Sequence, residues 1–414
     1  MDHLERNKLI SRHQHGFQKG KSCLTNLLET LEAWTEAIDK GNQVDCIFLD
    51  YQKAFDTVPF RRLLVKLSGY GVGDKIRRWV EAFLTGRRMR VSVNGSFSSW
   101  SPVSSGVPQG SVLGPVLFLL YVNDIPENVK CDIKIFADNT KVWKNIKDSD
   151  DCRDLQNNLD SITDWSDTWL LKLHVGKCKS MQVQKPRKEK VEFTYTMTDG
   201  ATRKDLENIV EEKDLGVIIS DDLKPSKQCI QATKKANSIL KMVKRSFNYF
   251  DINTFKIVYK TYVRPHLEYC CQAWCPYFSK DVRMIEGVQR RATKLVREIR
   301  NLPYEVRLKK LRLYSLERRR LRGDLIETFR LMRGIENVDW DQFFSRPSLD
   351  HLRGHSLKLS KSLSACQTRQ NFFSQRVVST WNELPESVVS AENVNLFKNR
   401  LDKMWSRDGS PISK

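Results

Sequence analysis

Apolar positions in the first half of the chain switch between two periods. From Cys23 to Ile38, Leu24, Leu27, Leu28, Leu31 and Trp34 recur at helical spacing and predict an amphipathic helix that Gly41 ends. Asp45–Leu49 is a short, mainly apolar run that predicts a strand stopping at Asp50. Pro59 opens a helix marked by Leu63, Leu64 and Leu67, closed by Gly69 and Gly71, and another runs from about Lys75 to Leu84. Met89, Val91 and Val93 alternate with polar residues up to Asn94-Gly95, a strong hairpin signal. The Gly- and Pro-punctuated loop Ser105–Ser111 leads into an apolar helix, Val112–Val122. Ile133, Ile135 and Val142 flank the tight turn Ala137-Asp138-Asn139-Thr140, a second hairpin, and Leu155, Leu159, Ile162, Trp165 and Trp169 share a helical stripe. Strands and helices in mixed order, mostly joined by connections too short for regular βαβ units, predict an α+β fold.

The pattern then loosens from roughly Lys185 to Arg203, around Pro186 and a basic run, before a last strand at Leu215–Ile219. Beyond Lys224 it changes to long helical stretches, and Trp340–Lys414 is of mixed character. No internal repeat or long low-complexity tract interrupts the chain.

Charge alters this picture more than composition does. The chain has 414 residues, enough for two or three domains, and its 40% hydrophobic and 29% charged residues are those of a folded protein. Its net charge of +20 and pI near 9.5 point to a polyanionic partner, most commonly nucleic acid. Between Lys224 and Arg333 about 27 basic residues face about 9 acidic ones, so the helical half carries most of the excess. Ten cysteines without repeating spacing, after a polar start at Met1–Lys8, read as free thiols in a reducing compartment, nucleus and cytoplasm. The longest apolar stretch, Val112–Val122, contains Gly114 and Pro115 and falls short of the ~20 residues a bilayer needs, so no membrane role is expected.

Three segments carry chemistry. Phe48–Val58 ends an apolar strand in Asp50, which sets a carboxylate at the strand edge facing a cleft. In Ser105–Pro115, Gly106 and Gly110 let backbone approach a ligand closely, and Gln109 offers an amide to a base or sugar. Phe136–Thr140 is a hairpin tip presenting a second carboxylate, Asp138. A lone Asp at such a place is ordinarily a solvated turn residue. A pair on neighbouring strands is what a two-Mg²⁺ site for phosphoryl chemistry requires.

Together and in this order the segments resemble the A, B and C motifs of reverse transcriptases, in wording close to the jockey-like, non-LTR (LINE-type) retrotransposons. Gln14-His-Gly-Phe-Gln-Lys-Gly-Lys-Ser22, Trp169–Lys177, Leu215-Gly-Val217, Tyr262–Tyr269 and Trp381–Pro385 extend the resemblance over nearly the whole chain. It implies an RNA-directed DNA polymerase with a right-hand architecture: a fingers remnant (1–44), a palm with a ferredoxin-like sheet and helices (45–223), a basic helical thumb (224–335) and a C-terminal extension of unknown role (336–414). By the same resemblance Asp50 and Asp138 bind two Mg²⁺ ions, for which Mn²⁺ can substitute. Phe55 is the gate against a ribose 2′-hydroxyl, Gln109 and Gly110 line the nucleotide and template pocket, and Lys177 sits near the triphosphate. The implied partners are an RNA template, a DNA primer and dNTPs; no protein partner is implied.

The chain departs from the family where a second Asp is usual and Asn139 stands. An amide offers an oxygen but removes one negative charge from a site for two dications, so reduced activity is expected. Few residues precede Gln14, and Gln18, Lys21 and His174 replace the family's usual residues, which reads as a 5′-truncated, drifting copy. A catalytically inactive nucleic-acid-binding remnant therefore stands beside the enzyme as an alternative, with a silent protein-binding module third. Elsewhere, His266, Cys270, Cys271 and Cys275 lack a common zinc spacing, and His266 with Cys270 reads as one helix face. Arg318–Arg320 reads as a solvated or phosphate-facing helix surface, Trp165 and Trp169 as core, and Asp56, Asp124 and Asp132 as structural or solvated.

Overall fold

The computed structural model describes residues 2–185, 189–347 and 354–407. Two compact units emerge: residues 1–26 with 42–210, and residues 27–41 with 211–414. The first is mixed α/β and the second mainly helical. Among the described residues no helix is long and apolar enough to cross a membrane.

The first unit is built on one five-stranded sheet. The strands of the unit up to this sheet's end are β1 (Gln43–Leu49), the short pairs β2 (Arg88–Met89) with β5 (Ser101–Pro102) and β3 (Ser92–Val93) with β4 (Ser96–Phe97), which lie outside the sheet, then β6 (Asp132–Phe136), β7 (Asn139–Ile146) and β8 (Lys179–Val183). The sheet order is a short strand at Glu207–Asn208, then β8, β1, β7 and β6; β2–β5 stand apart as a separate ribbon. β1 lies in the middle, antiparallel to β7 and β8, and is buried nearly throughout, its apolar residues interrupted by the buried Asp45. The stripe Leu155, Leu159, Ile162 and Trp165 buries the helix Ser149–Trp169 in the same core as Ile47, Leu49, Ile133 and Val142. Asp148 caps that helix by accepting from the amides of Asp150 and Asp151.

One cation is built into this core. Lys66 lies 3.9 Å from the Trp169 ring, 4.7 Å from Trp165 and 4.9 Å from Tyr121, and bonds Asp124 Oδ1 at 2.6 Å. Burial pushes its pKa down to about 8, against the pull of Asp124. Asp124 also accepts from Trp165 Nε1 at 3.1 Å, so it is structural.

The loosened stretch behaves differently from the expectation. Pro186 lies outside the described residues, but Thr196–Asp199 and Thr202–Asp205 pair as a hairpin, with Met197 fully buried. The last strand begins later than expected, at Val217, because Leu215 and Gly216 take positive φ and make the turn from Glu211–Asp214.

The second unit packs the helices Ser226–Ser246, Ser279–Thr293, Leu316–Met332, Phe373–Asn382 and Val394–Arg407 around Ile285, Val288, Phe329, Trp381 and Phe397. The segment after Trp340 thus belongs to this core: Phe329 stacks on Phe397 at 4.4 Å, and Arg322 clasps Asp402 with two bonds of 2.8 and 2.7 Å. The Arg318–Arg320 run is neither solvated nor free for phosphate. Arg320 is 3% exposed, Arg319 chelates Glu268, and Arg318 stacks on Trp405 at 4.6 Å. His266 and Cys270 do not share a helix face either: the helix ends at Glu268 and Cys270 takes φ 48° before the next turn.

Candidate active site

The register of β1 on β7 decides where the carboxylates meet. The last pair is Leu49 with Thr140, so Asp50 falls one step further, beside the turn Ala137-Asp138. Burial pushes the Asp138 carboxyl above the usual range, and the charge of Asp50 pushes the same way. Two like charges close enough to feel each other make a place that favours a cation.

Asp50 is held through its backbone. Its carbonyl accepts from His174 N at 2.7 Å and its amide meets Cys178 Sγ at 3.5 Å. Burial pushes the Cys178 thiol up to about 11, so it stays neutral. This backbone clasp brings Lys177 alongside, with Nζ 3.6 Å from Asp50 Oδ2 and both side chains open to solvent.

Asp138 is held through its neighbour. Ala137 sits at φ 57°, a conformation that costs about 1 kcal/mol or more for a residue with a Cβ. The N-terminal segment fixes it there: Gln14 Oε1 accepts from Ala137 N at 2.9 Å and from Gly16 N at 2.7 Å. His15 N donates to Ile135 O at 2.8 Å, and a Cβ on Gly16 would stand 2.5 Å from Ala137 N. Gln14 and Gly16 are thus positioning residues whose purpose residue chemistry alone did not disclose. The signal was there in an amide beside a glycine, but it acts on a hairpin 123 residues away.

The loop after Ser105 forms a second wall. Gly106 spends its freedom on its own chain rather than on a ligand: at φ 86° a Cβ would lie 2.6 Å from Asp56 O. Its amide donates to Val58 O at 2.9 Å, and Val107 N to Phe55 O at 2.8 Å. Gln109 is exposed and donates to Asp56 Oδ1 at 2.8 Å, so Asp56 orients the amide. Gly110, at φ 79°, faces open space. The Phe55 ring stacks on Phe118 at 4.2 Å with Phe17 edge-on, which fixes its direction.

Among the described residues no three His, Cys, Asp or Glu side chains gather as a metal cluster. The donors at the strand ends are two carboxylates and the exposed Asn139 amide, all oxygen, which is the class Mg²⁺ takes. With Asp138 already paying for its charge through burial and Asp50, this set fits a divalent cation, with one charge fewer than a third carboxylate would give.

The chain is similar in sequence to known proteins over part of its length. Residues 1–197 match the family described as reverse transcriptase (RNA-dependent DNA polymerase). The chain is 25% identical to a probable RNA-directed DNA polymerase from transposon X-element of Drosophila melanogaster, over 71% of this chain and 32% of that protein. It is 27% identical to the RNA-directed DNA polymerase from mobile element jockey of Drosophila funebris, over 73% of this chain and 33% of that one. The chain therefore spans about a third of the length of these curated relatives. Among solved structures it is similar to telomerase from Candida albicans in complex with a fragment of telomeric RNA, at 10% identity and a TM-score of 0.38, over 72% of this chain and 54% of that one.

Proposed function

From a chain whose residues 1–197 match the reverse transcriptase family and resemble RNA-directed DNA polymerases of mobile elements, we infer that the Asp50–Asp138 site joins deoxynucleotides to a primer 3′-hydroxyl on an RNA template. The observation that carries this reading is the antiparallel register that sets Asp50 beside the Asp138 turn. Asp50 and Asp138 would hold two Mg²⁺ ions, with Mn²⁺ as a substitute. When bound, such ions activate the attacking hydroxyl and stabilise the leaving pyrophosphate.

The other residues take roles their positions support. Lys177, with Nζ 3.6 Å from Asp50, would pass a proton to the leaving pyrophosphate. Phe55, its ring fixed against Phe118, excludes a ribose 2′-hydroxyl and so selects dNTPs. Gln109, oriented by Asp56, and Gly110, open to solvent, line the nucleotide and template pocket. In the right-hand assignment proposed here, 1–44 are fingers, 45–223 palm, 224–335 thumb and 336–414 a C-terminal extension. The basic helices of the thumb hold template and primer by their phosphates.

One observation favours a second reading, a nucleic-acid-binding chain without catalysis: Asn139 follows Asp138 in the hairpin, one residue before the Thr140 that pairs with Leu49, where a third carboxylate would complete the metal site. Primer extension on an RNA template, with Mg²⁺ and with Mn²⁺, separates the two. The parent chain, Asn139→Asp and Asp50→Ala are compared. Extension by the parent that Asp50→Ala loses establishes the polymerase. Asn139→Asp should raise the rate by about 10- to 100-fold, the usual scale for a group supporting a metal site. Extension by Asn139→Asp alone establishes the second reading for this chain, and undiminished extension by Asp50→Ala would overturn the site.

A further inference from the structure

The ribbon β2–β5 is hard to explain as part of the fold. Every residue from Arg88 to Pro102 is exposed, and Met89, Val91, Val93, Phe97 and Trp100 are between 49% and 63% accessible. A two-stranded ribbon that buries nothing is marginal in water, and an apolar patch left on its surface calls for an occupant. The chain has nonetheless shaped it. Asn94 and Gly95 both take positive φ, as a tight hairpin turn requires, and Ser98 N donates to Val91 O at 2.9 Å.

Charge identifies the occupant. Residues 86–105 contain three arginines and no acidic residue. Arg90 lies 3.8 Å from the Phe97 ring and 4.6 Å from Trp100, and Arg88 lies 5.8 Å from Trp100. Among the described residues neither guanidinium has a carboxylate partner. A guanidinium stacked by its face keeps its in-plane N–H edge for a phosphate. Interleaved rings and cations without sequence-reading groups are what single-stranded nucleic acid binds: bases stack on the rings and phosphates meet the cations.

The base of the arm ties it to the candidate pocket. Arg87 donates to Gly106 O at 2.6 Å, Val103 N donates to Arg87 O at 2.9 Å, and the chain then enters the loop that carries Gln109. We propose that the arm Arg87–Val103 is a landing surface for single-stranded RNA, with Phe97 and Trp100 stacking on bases and Arg88 and Arg90 holding phosphates, which guides template toward the Gln109–Gly110 loop. The direction of travel rests on the polymerase reading above; the binding surface rests on the arm alone.

The test uses the full chain and a fluorescein-labelled oligouridylate of about 20 nucleotides, followed by anisotropy across a salt series, beside an RNA duplex of equal length. Because the altered side chains are all exposed, Phe97→Ser/Trp100→Ser and Arg88→Gln/Arg90→Gln should melt with the parent. The ring variant should weaken single-strand binding by about fivefold or more per ring, with the salt slope unchanged. The arginine variant should lower the salt slope by about 1.4, the share of two phosphate contacts on a single strand. Duplex binding should hold in both. Parent-like single-strand binding by both variants, or an equal loss for duplex, would overturn the arm while leaving the polymerase reading to the primer-extension result. A parent chain that binds neither RNA, or whose arm binds anionic lipid vesicles in preference, would overturn the arm as well.

Discussion

The two units treat their carboxylates in opposite ways. In the first, Asp50 and Asp138 are brought together at strand ends, burial and the charge of Asp50 make Asp138 costlier to ionise, and an exposed lysine stands near Asp50. In the second, several carboxylates are met by an arginine: Asp324 by Arg376 through bonds of 2.8 and 2.9 Å, Asp402 by Arg322, and Glu32 by Arg369 at 2.5 Å. On the reading proposed above, the first arrangement takes its counter-charge from a cation outside the chain, whereas these three pairs take theirs from within it. The comparison also corrects the reading of charge. Part of the basic excess in the helical half is spent inside the fold, so net charge overstates what remains for phosphates.

The contrast can be broken most severely in the second unit. Arg376→Ala leaves Asp324, 3% exposed, without its partner and should cost about 3–5 kcal/mol in urea denaturation. Replacing both, Arg376→Met with Asp324→Leu, should recover most of that loss, because the pair's own desolvation disappears with it. An equal loss in the single and double variants would show that the pair is not what the surrounding helices depend on.

In the first unit a new charge should act with both signs. Asn139→Asp places a third acid beside Asp138 and should lower stability without metal by about 0.5–1 kcal/mol at low salt. Millimolar Mg²⁺ should reverse that loss and raise the melting temperature above that of the parent under the same conditions. A variant indifferent to Mg²⁺ would remove the case for a metal site.

A pH-dependent effect in the same unit concerns Lys66. Its folded pKa of about 8 lies below the unfolded value near 10.4, so between these limits the unfolded chain holds a proton that the folded chain has lost. Stability should therefore rise with pH across that window, by up to about 1.4 kcal/mol per pH unit, the burden of the buried charge being fully present below pH 8. Lys66→Met should lack this contribution, and melting profiles of parent and variant that stay parallel from pH 8 to 10 would refute it.

Much of this was legible in the sequence, and the misses have physical causes. Leu155 to Trp165 and the apolar run before Asp50 declare their elements because burial imposes the period directly. β8 escaped notice because Met181 and Val183 alternate with Ser180 and Gln182 over five residues only, too few for a pattern to stand out between lysines. The Thr196–Asp205 hairpin is polar on most positions, and its pairing is visible only as backbone bonds. At the candidate site, residue types pointed to Asp50 and Asp138, but not to the Gln14 amide that sets the Asp138 turn or to the Cys178 sulfur at the Asp50 amide. Those contacts depend on tertiary placement, which no local window contains. The Arg318–Arg320 run misled for the same reason, since its partners Glu268 and Trp405 are distant in the chain.

The Gln14 clasp also says something about time. Ala137 adopts its turn against Gln14 and Gly16, and Asp50 is clasped by His174 and Cys178, separations of 123 and 128 residues. Each closure must be met before the contact rewards it, and loops of this length close late in folding compared with hairpins or helices. The site thus has no precursor on any shorter stretch of chain. A nascent polypeptide would carry its helices and the β6–β7 hairpin long before it held two carboxylates in register, and the ability to hold a metal should arise in one step, with the burial of the sheet.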